Sequence, residues 1–242
     1  MNERQKFGGI AALVLAATLV IGLGMFATLL SDYATGDQEP GESVAFIADH
    51  YATMYVWNLI VMVVFGVLLV PVGLALHHRL REESTALSEM ATALALIWAG
   101  LLIGAGMVTL IDLGTIADLA DTDPGRAESV WISLDSVERG MGGTIEIVGG
   151  LWVLLISWAA LRSGVFPKAL NYIGIVISVS AFATIVPAFE LVGAVFGLGL
   201  IVWLVWLGVI MYRSDPSAPT ELGVGSATGS RSGRDGLEAS VG

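Results

Sequence analysis

The chain has 242 residues, of which 55% are hydrophobic and only 14% are charged, against roughly 25% charged in an average soluble domain. Its mean hydropathy of +0.80 excludes a protein that folds in water, and its apolar residues stand in the long blocks that a bilayer selects. The absence of cysteine excludes disulfides and thiolate sites, and a net charge of −11 leaves no basic face for nucleic acid.

Six apolar blocks follow one another along the chain, and each is long enough to predict a transmembrane helix. They cover 7–30, 52–76, 87–113, 141–161, 169–186 and 191–212. The first is longer than the apolar region of a usual secretory signal and lacks a clear cleavage site, so we expect it to be retained. The sequence therefore predicts an all-α integral membrane protein with six transmembrane helices in one domain, 1–213.

The connecting segments differ in character on the two sides of the predicted bundle. Residues 31–49 read as a polar loop, and a second long loop, 114–139, contains Asp123-Pro124, a pair typical of a helix start. Helical spacing of Trp131, Leu134 and Val137 predicts a helix along the outer membrane surface. Residues 214–242, rich in Ser, Gly, Pro and charge, predict a disordered cytoplasmic tail.

The distribution of charge predicts the orientation. With the amino terminus inside, the inner segments hold nine of the eleven basic residues: Arg4, Lys6, Arg79, Arg81, Arg162, Lys168, Arg213, Arg231 and Arg234. The two outer loops hold only Arg126 and Arg139, beside twelve acidic residues when these are counted from Asp32 to Asp49 and from Asp112 to Glu138. The positive-inside rule therefore predicts a multi-pass protein of the cell membrane, with both termini in the cytoplasm, short cytoplasmic turns and two acidic outer loops.

The acidic excess comes with few lysines, since the basic residues are nine Arg and two Lys. An acidic, lysine-poor surface is typical of a halophilic organism, whose proteins stay hydrated in concentrated salt. An ordinary acidic periphery is the alternative interpretation.

Ionisable residues at membrane depth are costly, about 2.5–3.5 kcal/mol or more at mid-bilayer, and are therefore candidates for function. Glu146 stands about five residues into the fourth predicted helix, with Arg139 two turns earlier on the same face. Our hypothesis is one outward-opening polar pocket for an ion, a proton or a small ligand, lined by Asn58, Asp112, Arg139, Glu146 and Glu190. The alternative is that Glu146 is protonated or paired with Arg139 and only fixes its helix among its neighbours.

Several motifs of known chemistry are missing. The sequence has no P-loop, no His-Glu-x-x-His zinc motif and no Gly-x-Ser-x-Gly nucleophile elbow. No histidine lies inside a predicted span to bind haem, and no lysine lies there to hold retinal. His77 and His78 read as a solvated turn. We therefore expect the protein to bind no cofactor and no metal and to have no enzymatic activity.

A family resemblance appears in the second half of the chain. Segment 149–168 reads GGLWVLLISWAALRSGVFPK and is followed by ALNYIG at 169–174. This glycine-rich helix, ending in Arg-Ser-Gly-x-x-Pro-Lys, resembles the signature of a prokaryotic six-helix membrane family that is classified only as a domain of unknown function. His77-His78-Arg79-Leu80 and Phe7-Gly8-Gly9-Ile10 are also similar, so the resemblance covers about residues 5–212. It supports six helices and implies no catalytic residue.

Two classes of function remain open. Small residues at four-residue spacing, such as Gly100 with Gly104 and Gly174 with Ser178, favour helix association in lipid. They suggest a non-enzymatic interaction or regulatory role, as a homo-oligomer or with a membrane protein partner in the lipid bilayer. The alternative is a small transporter or channel component with an outward-facing polar pocket around Glu146 and Asn58.

Overall fold

A computed structural model describes residues 3–31, 33, 39–143 and 146–213 of the chain. The predicted tail, 214–242, lies outside the described residues. Every regular element in the described part is a helix. The helices are α1 (Glu3–Thr28), α2 (Pro40–Asp49), α3 (Tyr51–Asn58), α4 (Phe65–Leu80), α5 (Thr85–Ala120), α6 (Pro124–Glu138), α7 (Ile147–Ser163), α8 (Lys168–Ala183) and α9 (Gly193–Arg213).

Three irregular turns join some of these helices. A π-helical stretch, Leu59–Val64, makes α3 and α4 one continuous rod, and a second, Arg139–Gly143, continues α6. A 3-10 turn, Pro187–Val192, precedes α9. Pro71 lies within α4, and the departure from α-helical hydrogen bonding comes earlier, at the first π-helical stretch.

Four segments are long and apolar enough to cross a membrane: Lys6–Thr28, Tyr51–Leu80, Thr85–Ala120 and Gly193–Arg213. They correspond to the first, second, third and sixth predicted spans. The helices at the fourth and fifth positions, α7 and α8, are apolar but shorter, with 17 and 16 residues. The chain therefore has the helices of a membrane protein, four of them of full spanning length.

The outer loops contain more helix than the sequence indicated. The predicted polar loop 31–49 includes α2, and α5 continues to Ala120, where we expected its span to end at 113. Both differences have one cause, because Leu113 and Ile116 are buried against Val44 of α2 and Ala127 of α6. The helix start at Pro124 is confirmed, with an Asp123 carboxylate oxygen accepting a hydrogen bond from the Arg126 backbone N–H at 3.3 Å.

The fourth predicted helix begins later than its apolar block suggested. We expected a start at 141, but α7 starts at Ile147, and Glu146 directly precedes it. Glycine lowers helix propensity by about 1 kcal/mol relative to alanine, and the segment between α6 and α7 is rich in glycine. Glu146 therefore stands at the outer start of its helix and not five residues into it.

Six helical rods form a closed ring, in the order α1, α4, α5, α7, α8, α9 and back to α1. The first and last helices approach most closely where Gly9 faces Gly208. A Cβ atom on Gly9 would lie 3.0 Å from the Gly208 carbonyl oxygen, and one on Gly208 would lie 3.0 Å from the Gly9 carbonyl oxygen. Glycine at both positions thus lets the two backbones touch near the predicted cytoplasmic end.

Aromatic side chains fill the middle of the ring. Trp98 of α5 lies against Phe65 of α4, with ring centroids 5.5 Å apart, and against Trp152 of α7, at 5.8 Å. Trp152 in turn meets Trp203 of α9 edge to face at 5.7 Å. These buried rings join four of the six rods, and they make α7 part of the same core as the longer helices.

The tight packing of α8 gives a test of this core. A Cβ on Gly174 would overlap the Ser157 hydroxyl oxygen of α7 and stand 2.9 Å from the Trp203 indole nitrogen. We expect Gly174→Ala to lower the free energy of unfolding by about 1–3 kcal/mol through overpacking. Thermal unfolding of the purified protein measures the loss.

Gly100→Ala is the matched control, because nothing lies within 4 Å of a Cβ at Gly100. It replaces glycine by alanine within a helix without a clash, so it should leave stability unchanged or slightly raised. Equal melting temperatures for the two variants would contradict the described contact between α7 and α8.

Candidate outer chamber

A chamber of about 270 Å³, called the outer chamber, lies between α1, α3, α5 and α6 at the end of the bundle that is predicted to face outward. Three of the residues predicted to form a polar pocket line it, namely Asn58, Asp112 and Arg139. Arg139 is exposed, so the chamber meets the protein surface at this side. Its volume is near the lower end of the range of small-molecule sites, about 300–1,000 Å³.

Asn58 is the most deeply buried polar residue of this chamber, with only 2% of its surface exposed. Its amide nitrogen donates a hydrogen bond to the Met54 carbonyl oxygen at 3.1 Å, within the same helix. Its amide oxygen is buried and accepts no hydrogen bond from any described residue. A buried acceptor without a donor costs about 1–3 kcal/mol, so this atom is positioned to receive a donor from a ligand or from water.

Acidic side chains from two helices face the same space. Asp112 of α5 contributes a carboxylate oxygen that is buried and lacks a hydrogen-bond partner among the described residues. Asp135 and Glu138 of α6 line the opposite wall. Three carboxyl groups and one buried amide oxygen therefore surround the chamber, with Arg139 at its edge.

Glu138 is the functional candidate that the sequence analysis missed. Burial first, and the nearby Asp135 carboxylate second, raise the pKa of its carboxyl from the ordinary 4.5 to about 7. Tyr33, on the same wall, accepts a hydrogen bond from the Trp131 indole N–H at 3.3 Å, and burial raises its pKa as well. The chamber thus holds a carboxyl group that changes charge near neutral pH.

A second, inner cavity of about 170 Å³ lies beside the outer chamber, and Glu138 lines both spaces. Glu146 also lines the inner cavity, so the two glutamates face the same space. The remaining walls are apolar, and four of them are the aromatic rings of Trp57, Phe65, Trp98 and Phe196.

Glu146 is fixed through its backbone. Its N–H donates a hydrogen bond to the Thr184 hydroxyl of the α8 end at 3.2 Å, and its carbonyl accepts one from the Gly150 N–H at 2.9 Å. One side-chain oxygen is buried and has no hydrogen-bond partner within the described ranges. Glu146 also lines a further cavity of about 150 Å³ towards Met141.

The predicted pocket is therefore divided. Asn58, Asp112 and Arg139 share the outer chamber, while Glu146 lies in the inner cavity next to it. The Glu190 side chain lies outside the described part of the chain. Glu138 and Trp57, which line both spaces, are what connect the two groups of residues.

A lateral groove of about 310 Å³ lies between α1 and α9, towards the ends of these helices that are away from the Gly9–Gly208 contact. Its walls are apolar, and Leu23 and Leu198 are about half exposed on it, at 46% and 52%. Four residues line both the groove and the inner cavity: Leu19, Trp57, Val61 and Gly197. The groove and the inner cavity are therefore neighbouring spaces that share these four residues.

Comparison with known proteins identifies the family. A family model, the domain of unknown function DUF4386, matches residues 8–213. The chain belongs to this DUF4386 family. The match confirms the resemblance expected from the turn after α7 and covers nearly all of the helical bundle. No protein of curated function and no solved structure is significantly similar to the chain.

The arrangement in this DUF4386 member favours hydrogen bonding and charge attraction. No group of three His, Asp or Glu side chains in the described ranges is placed to hold a metal ion. The unpartnered groups that face the two spaces are oxygen acceptors from Asn58, Asp112 and Glu146. Such a lining is suited to a ligand that donates hydrogen bonds or carries positive charge.

The titration of Glu138 predicts a pH dependence of stability. Between about pH 4.5 and pH 7 the folded chain holds a proton on Glu138 that the unfolded chain has lost, so the free energy of unfolding falls as pH rises through this window. The loss amounts to at most about 3 kcal/mol. We expect Glu138→Gln to flatten this part of the profile in thermal unfolding between about pH 5 and pH 8.

The comparison is made between variants because other titratable groups face the same spaces: Asp112, Asp135, Glu146 and, at higher pH, Tyr33. Glu82→Gln, in the exposed turn after α4, is the control and should keep the pH profile of the unmodified chain. A Glu138→Gln profile as steep as that of the control would show that another group controls the dependence.

Proposed function

We propose that the chain is a multi-pass protein of the cell membrane that binds a small cationic or hydrogen-bonding solute from the outer side, as a transporter or channel component. The observation that carries this proposal is the buried Asn58 amide oxygen, which faces the outer chamber without a donor. Polar groups in membrane proteins are retained at depth for ion and substrate pathways. The acidic side chains of the chamber wall favour a solute with positive charge.

The proposal includes six spans with both termini in the cytoplasm. At 1.5 Å per residue, α7 and α8 are about 26 Å and 24 Å long, against a hydrocarbon core of about 30 Å. Both lie in the closed ring between α5 and α9, which are of full spanning length. Arg162 and Lys168 at their shared turn are long cations that reach from a short helix to the membrane surface.

Cysteine accessibility tests the six spans, since the chain has no cysteine of its own. Lys168→Cys lies at the first residue of α8, next to the turn that follows α7, and is exposed. With six spans it should react with a membrane-impermeant maleimide only after the cells are permeabilised. Ser129→Cys on α6 should react in intact cells.

Glu82→Cys, in the turn between α4 and α5, is the control for the cytoplasmic side. If α7 and α8 entered the membrane and returned without crossing, Lys168→Cys would lie within the bilayer. It would then stay unlabelled after permeabilisation while Glu82→Cys reacted, and the chain would have four spans.

An interaction or regulatory role is the second candidate. The small residues that suggested helix association are mostly used inside the bundle: a Cβ on Gly149 would meet Trp98, one on Gly150 would meet Ala181, and one on Gly174 would meet Ser157. Gly100 is exposed and has nothing within 4 Å of its Cβ position. Homo-oligomerisation through this part of α5 stays a prediction, and we place solute binding ahead of it.

A charge-selective labelling experiment tests the outer chamber directly. Thr109 lines the chamber one turn from Asp112 and carries no charge. We expect Thr109→Cys, in intact cells, to react with a cationic trimethylammonioethyl methanethiosulfonate much faster than with the anionic sulfonatoethyl reagent. Surrounding carboxylates concentrate cations and repel anions.

Ser129→Cys corrects for the different intrinsic reactivities of the two reagents, because it lies exposed on α6 and does not line the chamber. The ratio of rates at Thr109→Cys should exceed the ratio at Ser129→Cys by about tenfold, which corresponds to about 1.4 kcal/mol of electrostatic preference. Absence of labelling by either reagent, or equal ratios, would contradict an outward-facing chamber for cations.

A further inference from the structure

The inner cavity combines features that do not occur together in a simple packing defect. Two carboxyl side chains, Glu138 and Glu146, face it, and its described lining contains no Lys, Arg or His. One Glu146 oxygen is buried without a hydrogen-bond partner. In the adjoining chamber Asn58, with 2% of its surface exposed, presents a second unpartnered oxygen. Unpartnered hydrogen-bond acceptors therefore face both the outer chamber and the inner cavity, and Glu138 lines both spaces.

We propose that Glu138 and Glu146 bind the head group of a lipophilic organic cation, an alkyl quaternary ammonium, whose alkyl chain lies in the lateral groove between α1 and α9. The proposal deepens the proposed function and rests on it, since it names the class of solute that the connected chamber and cavity take. In this proposal the ligand enters from the lipid side, and its head group passes between the residues that line both the groove and the cavity.

Charge and aromatic lining indicate an organic cation. Quaternary ammonium groups are recognised by aromatic rings through cation–π attraction, and the rings of Trp57, Phe65, Trp98 and Phe196 surround the inner cavity. A bare metal ion needs several oxygen, nitrogen or sulfur ligands at once, and the described residues offer no group of three such acidic or histidine side chains. Four rings and two carboxyl groups suit a large, weakly hydrated cation better.

The groove indicates that the ligand is lipophilic. Gly197 lies in the wall between groove and cavity, and nothing occupies the space within 4 Å of its Cβ position. α1 and α9 are in close contact at Gly9 and Gly208, away from the residues that line the groove. An apolar groove of this kind, next to a cavity lined by two carboxyl groups, complements an alkyl chain with a cationic end.

The experiment compares two probes, tetramethylammonium and decyltrimethylammonium, on the full chain in nanodiscs. Tryptophan fluorescence reports binding because Trp57 and Trp98 line the inner cavity. At about pH 8, where Glu138 is ionised, we expect the decyl compound to bind at least about tenfold tighter than tetramethylammonium, after correction for partition into empty nanodiscs. Glu146→Gln should weaken the binding of both probes.

Two variants distinguish binding of the head group in the inner cavity from binding of the alkyl chain in the groove. Ala194→Leu, at a position that lines the groove and not the inner cavity, narrows the groove and should weaken decyltrimethylammonium by about tenfold while leaving tetramethylammonium unchanged. Ala93→Leu makes the same change at an exposed position on α5 away from the groove and should change neither. If Ala194→Leu lowers the melting temperature, Leu198→Phe, which also lines only the groove, replaces it.

The outcomes distinguish this inference from the proposed function. If tetramethylammonium binds as tightly as decyltrimethylammonium, or if the groove variants do not change the affinity for the decyl compound, the inference of a lipophilic ligand is wrong. The proposed binding of cations in the outer chamber would not be affected by either result. Equal binding of decyl sulfate would overturn the selection for positive charge. Failure of both cations to bind, together with charge-independent labelling at Thr109→Cys, would overturn both proposals.

Discussion

The position of Trp98 is the constraint on which the rest of the bundle depends. Its ring lies where a Cβ on Gly149 would come within 2.7 Å, so α5 and α7 can approach only because residue 149 has no side chain. From there the ring contacts Phe65 of α4 and Trp152 of α7. In lipid, apolar helices gain little from burial as such, and close packing holds them together. The same ring forms a wall of the inner cavity, so the packing that unites the helices also shapes the space next to the carboxyl groups.

Polar groups are tolerated at the outer end because the ring of helices is closed unevenly. Glycine contacts join α1 and α9 near Gly9 and Gly208, and the lateral groove lies between the same two helices towards their other ends. The extension of α5 beyond the predicted span, packed against α2 and α6, then builds a separate small core above the ring around Leu113 and Ile116. Members of this small core, among them Ile47 and Met54, line the outer chamber. The acidic loops are therefore a folded layer over the chamber and not only a solvated surface.

Much of this fold could be predicted from hydropathy and from local signals. The long apolar blocks located the main spans, and Asp123-Pro124 located the start of α6. The hydropathy pattern predicted the wrong helix bounds where tertiary contacts determine them. The third span was expected to end at 113, yet burial of Leu113 and Ile116 carries α5 on to Ala120. Apolar residues after 141 looked like a span, yet the glycines before Ile147 delay α7 and move Glu146 to its start.

The site was harder to predict because its central residue has no signal of its own. Glu138 follows the exposed Val137 in an acidic helix, and nothing in that sequence tells a buried carboxyl group from a solvated one. Spacing from Trp131 and Leu134, both on the chamber wall, was the available clue, since Glu138 follows them by seven and four positions and so shares their helix face. Once buried between two spaces, Glu138 links them electrostatically. A proton on its carboxyl group removes the charge that both spaces share, and a cation in either space favours the loss of that proton. Competition between proton and cation therefore follows from the position of this single side chain.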